Sequence, residues 1–146
     1  MKDETMSLTH TDLMGREWTA LHRDVEANER SALWIKLAAV ALSVVALALS
    51  FDTVLTLLLI AVLWLQEAIV RTGQARLTTR LLTIEAGLRA GSGTDGLAFQ
   101  LYSDWTENRP GSLGLVGEYL INAIRPTVAF PHVVLMALLW AVSVTA

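Results

Sequence analysis

Lys36 and Glu67 bound a run of thirty residues in which Asp52 is the only charged side chain, almost midway. If LAAVALSVVALALS and VLTLLLIAVLWLQ are antiparallel helices folded back at SFDT, Lys36 and Glu67 stand sixteen and fifteen residues from Asp52. At 1.5 Å per residue both lie roughly 23 Å from the turn, at one depth. That depth is inside a hydrocarbon layer of about 30 Å, where an unpaired charge is expensive. Lys36 and Glu67 are therefore a candidate intramembrane ion pair, with Arg71, one turn beyond Glu67, as a competing partner. Asp52 is placed to cap the second helix, because a carboxylate there satisfies free backbone N–H groups and meets the positive end of the helix dipole.

Helical steps of three and four from Lys36 pass Ala39, Ser43, Ala46 and Ser50, a face of small side chains suited to close packing. The same steps backwards from Glu67 pass Leu63, Ile60, Thr56 and Thr53. Two readings stay open. In one, the charges only set the register of a hairpin. In the other, Lys36 and Glu67 with Ser43, Ser50, Thr53 and Thr56 line a polar path in an oligomer, and copies of Asp52 ring its mouth.

Other reactive residue types are sparse. There is no cysteine, which excludes disulfides, thiolate catalysis and cysteine-based zinc sites. His22 and Glu26, one turn apart, lack further metal ligands nearby and read as surface residues. His132 stands alone beside Pro131 and reads as structural. Ser112 and His132 come with neither a GxSxG elbow nor a third catalytic group. The expectation is a chain without catalytic, cofactor or metal residues. A net charge of −3 argues against a nucleic-acid partner, since duplex binders carry a basic patch or stripe.

The elements that position these residues follow from uneven hydropathy. Of 146 residues 53% are hydrophobic, and the excess sits in the hairpin and in PTVAFPHVVLMALLWAVSVTA, about the length that spans a bilayer. Pro131 interrupts the second block, so the helix is expected to begin near Pro126 and kink at Pro131. Among these apolar blocks Trp34 and Trp140 suit headgroup belts, whereas Trp64 lies deeper and should pack between helices. The mixed charge of the first thirty residues is unlike a signal peptide, so the N-terminal segment is expected to be retained.

Around the spans, Met14, Trp18, Leu21 and Val25 mark one helical face, with Thr9 and Asp12 as a candidate start. Leu77, Leu81, Ile84 and Leu88 mark another, which Gly73 weakens without stopping. Gly91 to Gly96 read as a link, Leu97 to Trp105 as a short helix and Asn108 to Gly111 as a turn. Ser112 caps LGLVGEYLINAI, whose Glu118 and Asn122 suggest an interfacial helix ending at Arg125 before Pro126.

The fold class expected is an all-α integral membrane protein with three transmembrane helices. Its parts are a cytoplasmic amphipathic helix (1–31), a hairpin (32–70) with its outer turn at 50–53, a cytoplasmic helical region (71–125) and a third span (126–146). Lys and Arg are absent from the turn and abundant in 1–36 and 71–125, which places those segments inside and the turn and C-terminus outside. The location expected is the cell inner (plasma) membrane, multi-pass. The lipid bilayer is then the first partner. Self-association, or a cytoplasmic protein docked around Tyr102, Trp105 and Tyr119, would be the next.

An amphipathic helix, a tight two-span hairpin and the long Arg-rich helix LWLQEAIVRTGQARLTTRLLTIEAGL follow one another here. In this order the chain resembles the SLATT family of small bacterial two-span effectors, over about residues 11 to 90. The resemblance is one of topology. It implies a non-enzymatic membrane protein that assembles into pores in defence systems, and it carries over no site residue. The third span after RPTVAFPHV departs from the two-span pattern. The alternative is an anchor or accessory subunit.

Overall fold

The computed structural model describes residues 2–90 and 111–145, with side chains from Asp12 to Arg89 and from Gly111 to Thr145. Among the described residues all regular structure is helical: α1 (Lys2–Ala48), α2 (Thr53–Ala90), α3 (Ser112–Ile124) and α4 (Pro126–Thr145). Three of these are long and apolar enough to cross a membrane, within Asp12–Ala48, Thr53–Arg89 and Pro126–Thr145. The glycine-rich link, the helix expected around Leu97 to Trp105, and Tyr102, Arg109 and Trp105 fall outside the described residues.

One expected helix start is absent. α1 begins at Lys2 and runs unbroken to Ala48, so Thr9 and Asp12 lie inside it and not at its start. Asp12 instead pairs with Arg16 one turn on, at 3.1 Å. As the pattern across Gly73 predicts, α2 continues from the apolar run to Ala90. Nothing near residue 31 or 70 supplies a proline or a turn sequence, and straight-chain residues sustain the backbone pattern whether the surroundings are apolar or wet.

The helices pack as two compact units. The first comprises Met1–Ala27 and Gly73–Gly111. Its core is Met14, Leu21, Leu81 and Ile84, flanked by Trp18, Val25 and Leu77. The two apolar stripes seen at helical spacing thus face each other. Within that interface Arg80 Nε donates to Glu17 Oε1 at 3.0 Å, both side chains being buried. Trp18 Nε1 donates to Glu85 at 3.2 Å, and the Trp18 ring stacks on His22, whose Nε2 is 3.5 Å from Glu26.

The second unit comprises Asn28–Thr72 and Ser112–Ala146. α3 therefore groups with the apolar spans, whereas residues 73–90 group with the first unit. The inner faces of its long helices carry Ala32, Ala39, Ser43 and Ala46 from α1, Thr56, Ile60 and Ala68 from α2, and Val128 and Leu139 from α4, all buried.

The turn between α1 and α2 closes as a Schellman motif. Phe51 N donates to Ala46 O at 2.9 Å and Ser50 N to Leu47 O at 3.4 Å, with Ser50 at φ 53° in the position glycine usually takes. α3 and α4 meet at Arg125. Its carbonyl accepts from Val128 N and Ala129 N, and Pro126 occupies the first helical position, where a missing N–H loses nothing.

Candidate functional site: a buried charge cluster in the apolar unit

Glu67 is fully buried on α2, and three helices bring charged or titratable groups to it. Lys36 Nζ on α1 stands 3.1 Å from Oε1, Arg71 Nε stands 3.9 Å from the same oxygen, and His132 Nδ1 on α4 stands 3.8 Å from Oε2. Neither carboxylate oxygen receives an aligned hydrogen bond. Charge attraction, not hydrogen bonding, therefore offsets the desolvation of this acid, a penalty of several kcal/mol for an ion moved out of water.

Lys36 has a second partner whose origin lies in the sequence of α4. Pro131 has no N–H, so the carbonyl four residues earlier, Thr127 O, loses its helical donor. Lys36 Nζ donates to Thr127 O at 3.0 Å. The ammonium thus supplies the hydrogen bond that the proline ring removes. One side chain from α1 clasps the acid of α2 and the freed carbonyl of α4.

His132 is also fully buried, and its Nδ1 lies 3.0 Å from Val128 O. A carbonyl only accepts, so Nδ1 carries the proton and donates there. Nε2 has no partner. Trp64 stacks on this ring with centroids 6.3 Å apart and donates through Nε1 to Ala123 O at 3.0 Å. Asn122 of α3 donates to Thr72 Oγ1 at 2.8 Å and to Glu118 O at 3.0 Å, while Thr72 donates to Ala68 O at 2.8 Å. Asn122 Oδ1 has no partner. The cluster therefore holds spare acceptors at Glu67 and Asn122 Oδ1 beside two cations.

Asp52 Oδ1 accepts from Leu55 N at 2.7 Å, the geometry of a helix N-cap. The four hydroxyl residues separate. Ser43 and Thr56 are buried in the protomer's own interior, with Ser43 bonded to Ala39 O at 2.7 Å and Thr56 to Asp52 O at 2.8 Å. Ser50 is exposed at the turn and Thr53 half-buried. Ser50, Thr53 and Thr56 line a cavity of about 300 Å³ with Leu139, Val142 and Ser143 of α4. Ile60 lies one helical step past Thr56 on α2 and Ala39 one step past Lys36 on α1, and both are fully buried.

Three contributors to this region gain their partners only from the packing. Thr127 is legible through Pro131, by counting back four residues. His132 stands alone in sequence, and the packing of α4 against α2 gives it an acidic neighbour. Thr72 carries no signal beyond lying one helical step past Ala68.

These observations define the class: an all-α chain with three helices long and apolar enough to cross a membrane, and an ionisable cluster inside its apolar unit. No protein-family model, curated protein or solved structure matches the chain. Among the described residues no three of His, Cys, Asp and Glu come together as metal ligands.

Proposed function

We propose that the chain is a non-enzymatic, multi-pass protein of the cell inner (plasma) membrane that acts as an anchor and adaptor, with its lysine- and arginine-rich segments in the cytoplasm and the Asp52 turn outside. One observation carries the choice of anchor over pore. Along 33–47, 54–65 and 130–142 every exposed side chain is apolar, while Ser43, Thr56, Glu67 and His132 are turned into the protomer. A lumen formed between copies through those faces would be lined by leucine, valine and alanine, which do not solvate an ion. The same faces are what a lipid-facing anchor presents. The clasp of Lys36 then holds three spans together, and the cytoplasmic residues are left to dock a protein partner.

A pore built from several copies, as the SLATT-like topology implies, is the second reading. It draws support from the cavity lined by Ser50, Thr53, Thr56 and Ser143. A conducting path would then pass Ile60 and Ala39 to reach Glu67, so the protomer's own helices would have to part. Mass measurement in nanodiscs with ion flux from liposomes separates the two readings. A monomer that releases neither ions nor dye is the expected result; a defined oligomer that conducts would replace the anchor by the pore.

A further inference from the structure

α3 is an amphipathic helix turned inside out. Its polar residue Asn122 is buried against Thr72 and Glu118 is half-buried, whereas Leu113 is 90% exposed, Ile124 73%, and Val116, Leu120 and Ile121 more than half. A helix on a water-facing surface does the opposite, hiding its apolar stripe and wetting its polar one. At 13 residues it is about 20 Å long, too short to cross a layer of about 30 Å.

The depth of that face identifies what covers it. The Asn122–Thr72 bond fixes the end of α3 beside a residue twenty positions after Asp52, roughly 30 Å along α2 from the turn and so about one hydrocarbon thickness away. Past the bend at Arg125 the apolar surface continues on α4 through Phe130, Val133 and Val134. Arg125 is exposed at the bend, close in sequence to the Thr127 carbonyl that holds Lys36. An exposed cation thus stands at the end of the apolar face, at the level where lipid phosphates would lie.

We propose that α3 lies in the membrane interface, with Leu113, Val116, Leu120, Ile121 and Ile124 in the acyl region of the leaflet nearest Lys36 and Arg125 in the phosphate layer. This rests on the membrane reading proposed for the chain and extends it to a segment too short to span. The absence of cysteine allows a direct test. Single variants Leu113→Cys, Leu120→Cys and Ile124→Cys carry a nitroxide in vesicles of phosphatidylcholine and phosphatidylglycerol, with Leu58→Cys as the span reference and Arg23→Cys as the aqueous one. Relaxation by oxygen exceeding that by a nickel chelate at all three α3 positions, as at Leu58, is the expected result. Nickel access at α3 with Leu58 still shielded would overturn the interfacial placement alone. Nickel access at Leu58 as well would overturn the membrane reading. Shielding from both reagents with spin–spin broadening would overturn the lipid assignment in favour of a contact between copies.

Discussion

Around Glu67, one acid serves two cations, and Lys36 in turn serves two acceptors. Lys36→Met or Glu67→Gln alone should lower stability in detergent or nanodiscs by roughly 2–4 kcal/mol. That is at the lower side of the range for breaking a buried pair, because Lys36 keeps 24% of its side chain exposed. The Lys36→Met/Glu67→Gln double variant should recover much of the loss. A charge swap should recover less, since a lysine at 67 would meet Arg71 and His132. The proline adds a cleaner check. Pro131→Ala returns an N–H to Thr127 O, so Lys36→Met should be milder in that background; equal losses in both would disprove the bond between Lys36 and the freed carbonyl. At the turn, Asp52→Ala should destabilise by about 1 kcal/mol through loss of the cap. Ser50→Gly should raise the melting temperature, because glycine takes a φ of 53° without the penalty of a Cβ.

Among the elements, α1 and α2 meet in the first unit through an apolar stripe interrupted by Glu17 and Arg80. Such a pair is weak evidence for stability and better evidence for register, since sliding the helices by one turn would strand two buried charges. Arg80→Met should therefore be strongly destabilising in thermal melts, by about 3–5 kcal/mol, while Glu17→Leu/Arg80→Met should be near neutral or stabilising. If the double variant melts as low as the single one, the pair matters through its packing and not its charge. Both apolar stripes are legible from spacing alone. The charges inside them are legible too, because Glu17 falls between Met14 and Leu21, and Arg80 between Leu77 and Ile84, on the faces that must be covered. Which acid meets which base is not, because a helical face names a side of one cylinder and says nothing of its neighbour's register. The start of α1 departs from the expected one for a related reason: Thr9 and Asp12 are capable caps, but a cap residue is also tolerated inside a helix that tertiary contact sustains.

For the molecule as a whole, the orientation read from lysine and arginine can be tested through the same cysteine-free background. Ser50→Cys should react with a membrane-impermeant maleimide in intact cells, and Arg23→Cys only after lysis; the reverse pattern would invert the topology. By itself the sequence determined the three apolar helices, the hairpin turn at Asp52 and the matching register of Lys36 and Glu67 along it. These depend on composition and on a rise of 1.5 Å per residue, quantities local to the chain. Tertiary structure decided the rest. Where α4 docks settles that His132 faces Glu67 and that Thr127 O faces Lys36. It also settles that Ser43 and Thr56 look into the protomer, and that α3 shows its apolar side outward. Each of these depends on the rotation of one helix against another, which residue spacing along either one leaves undetermined.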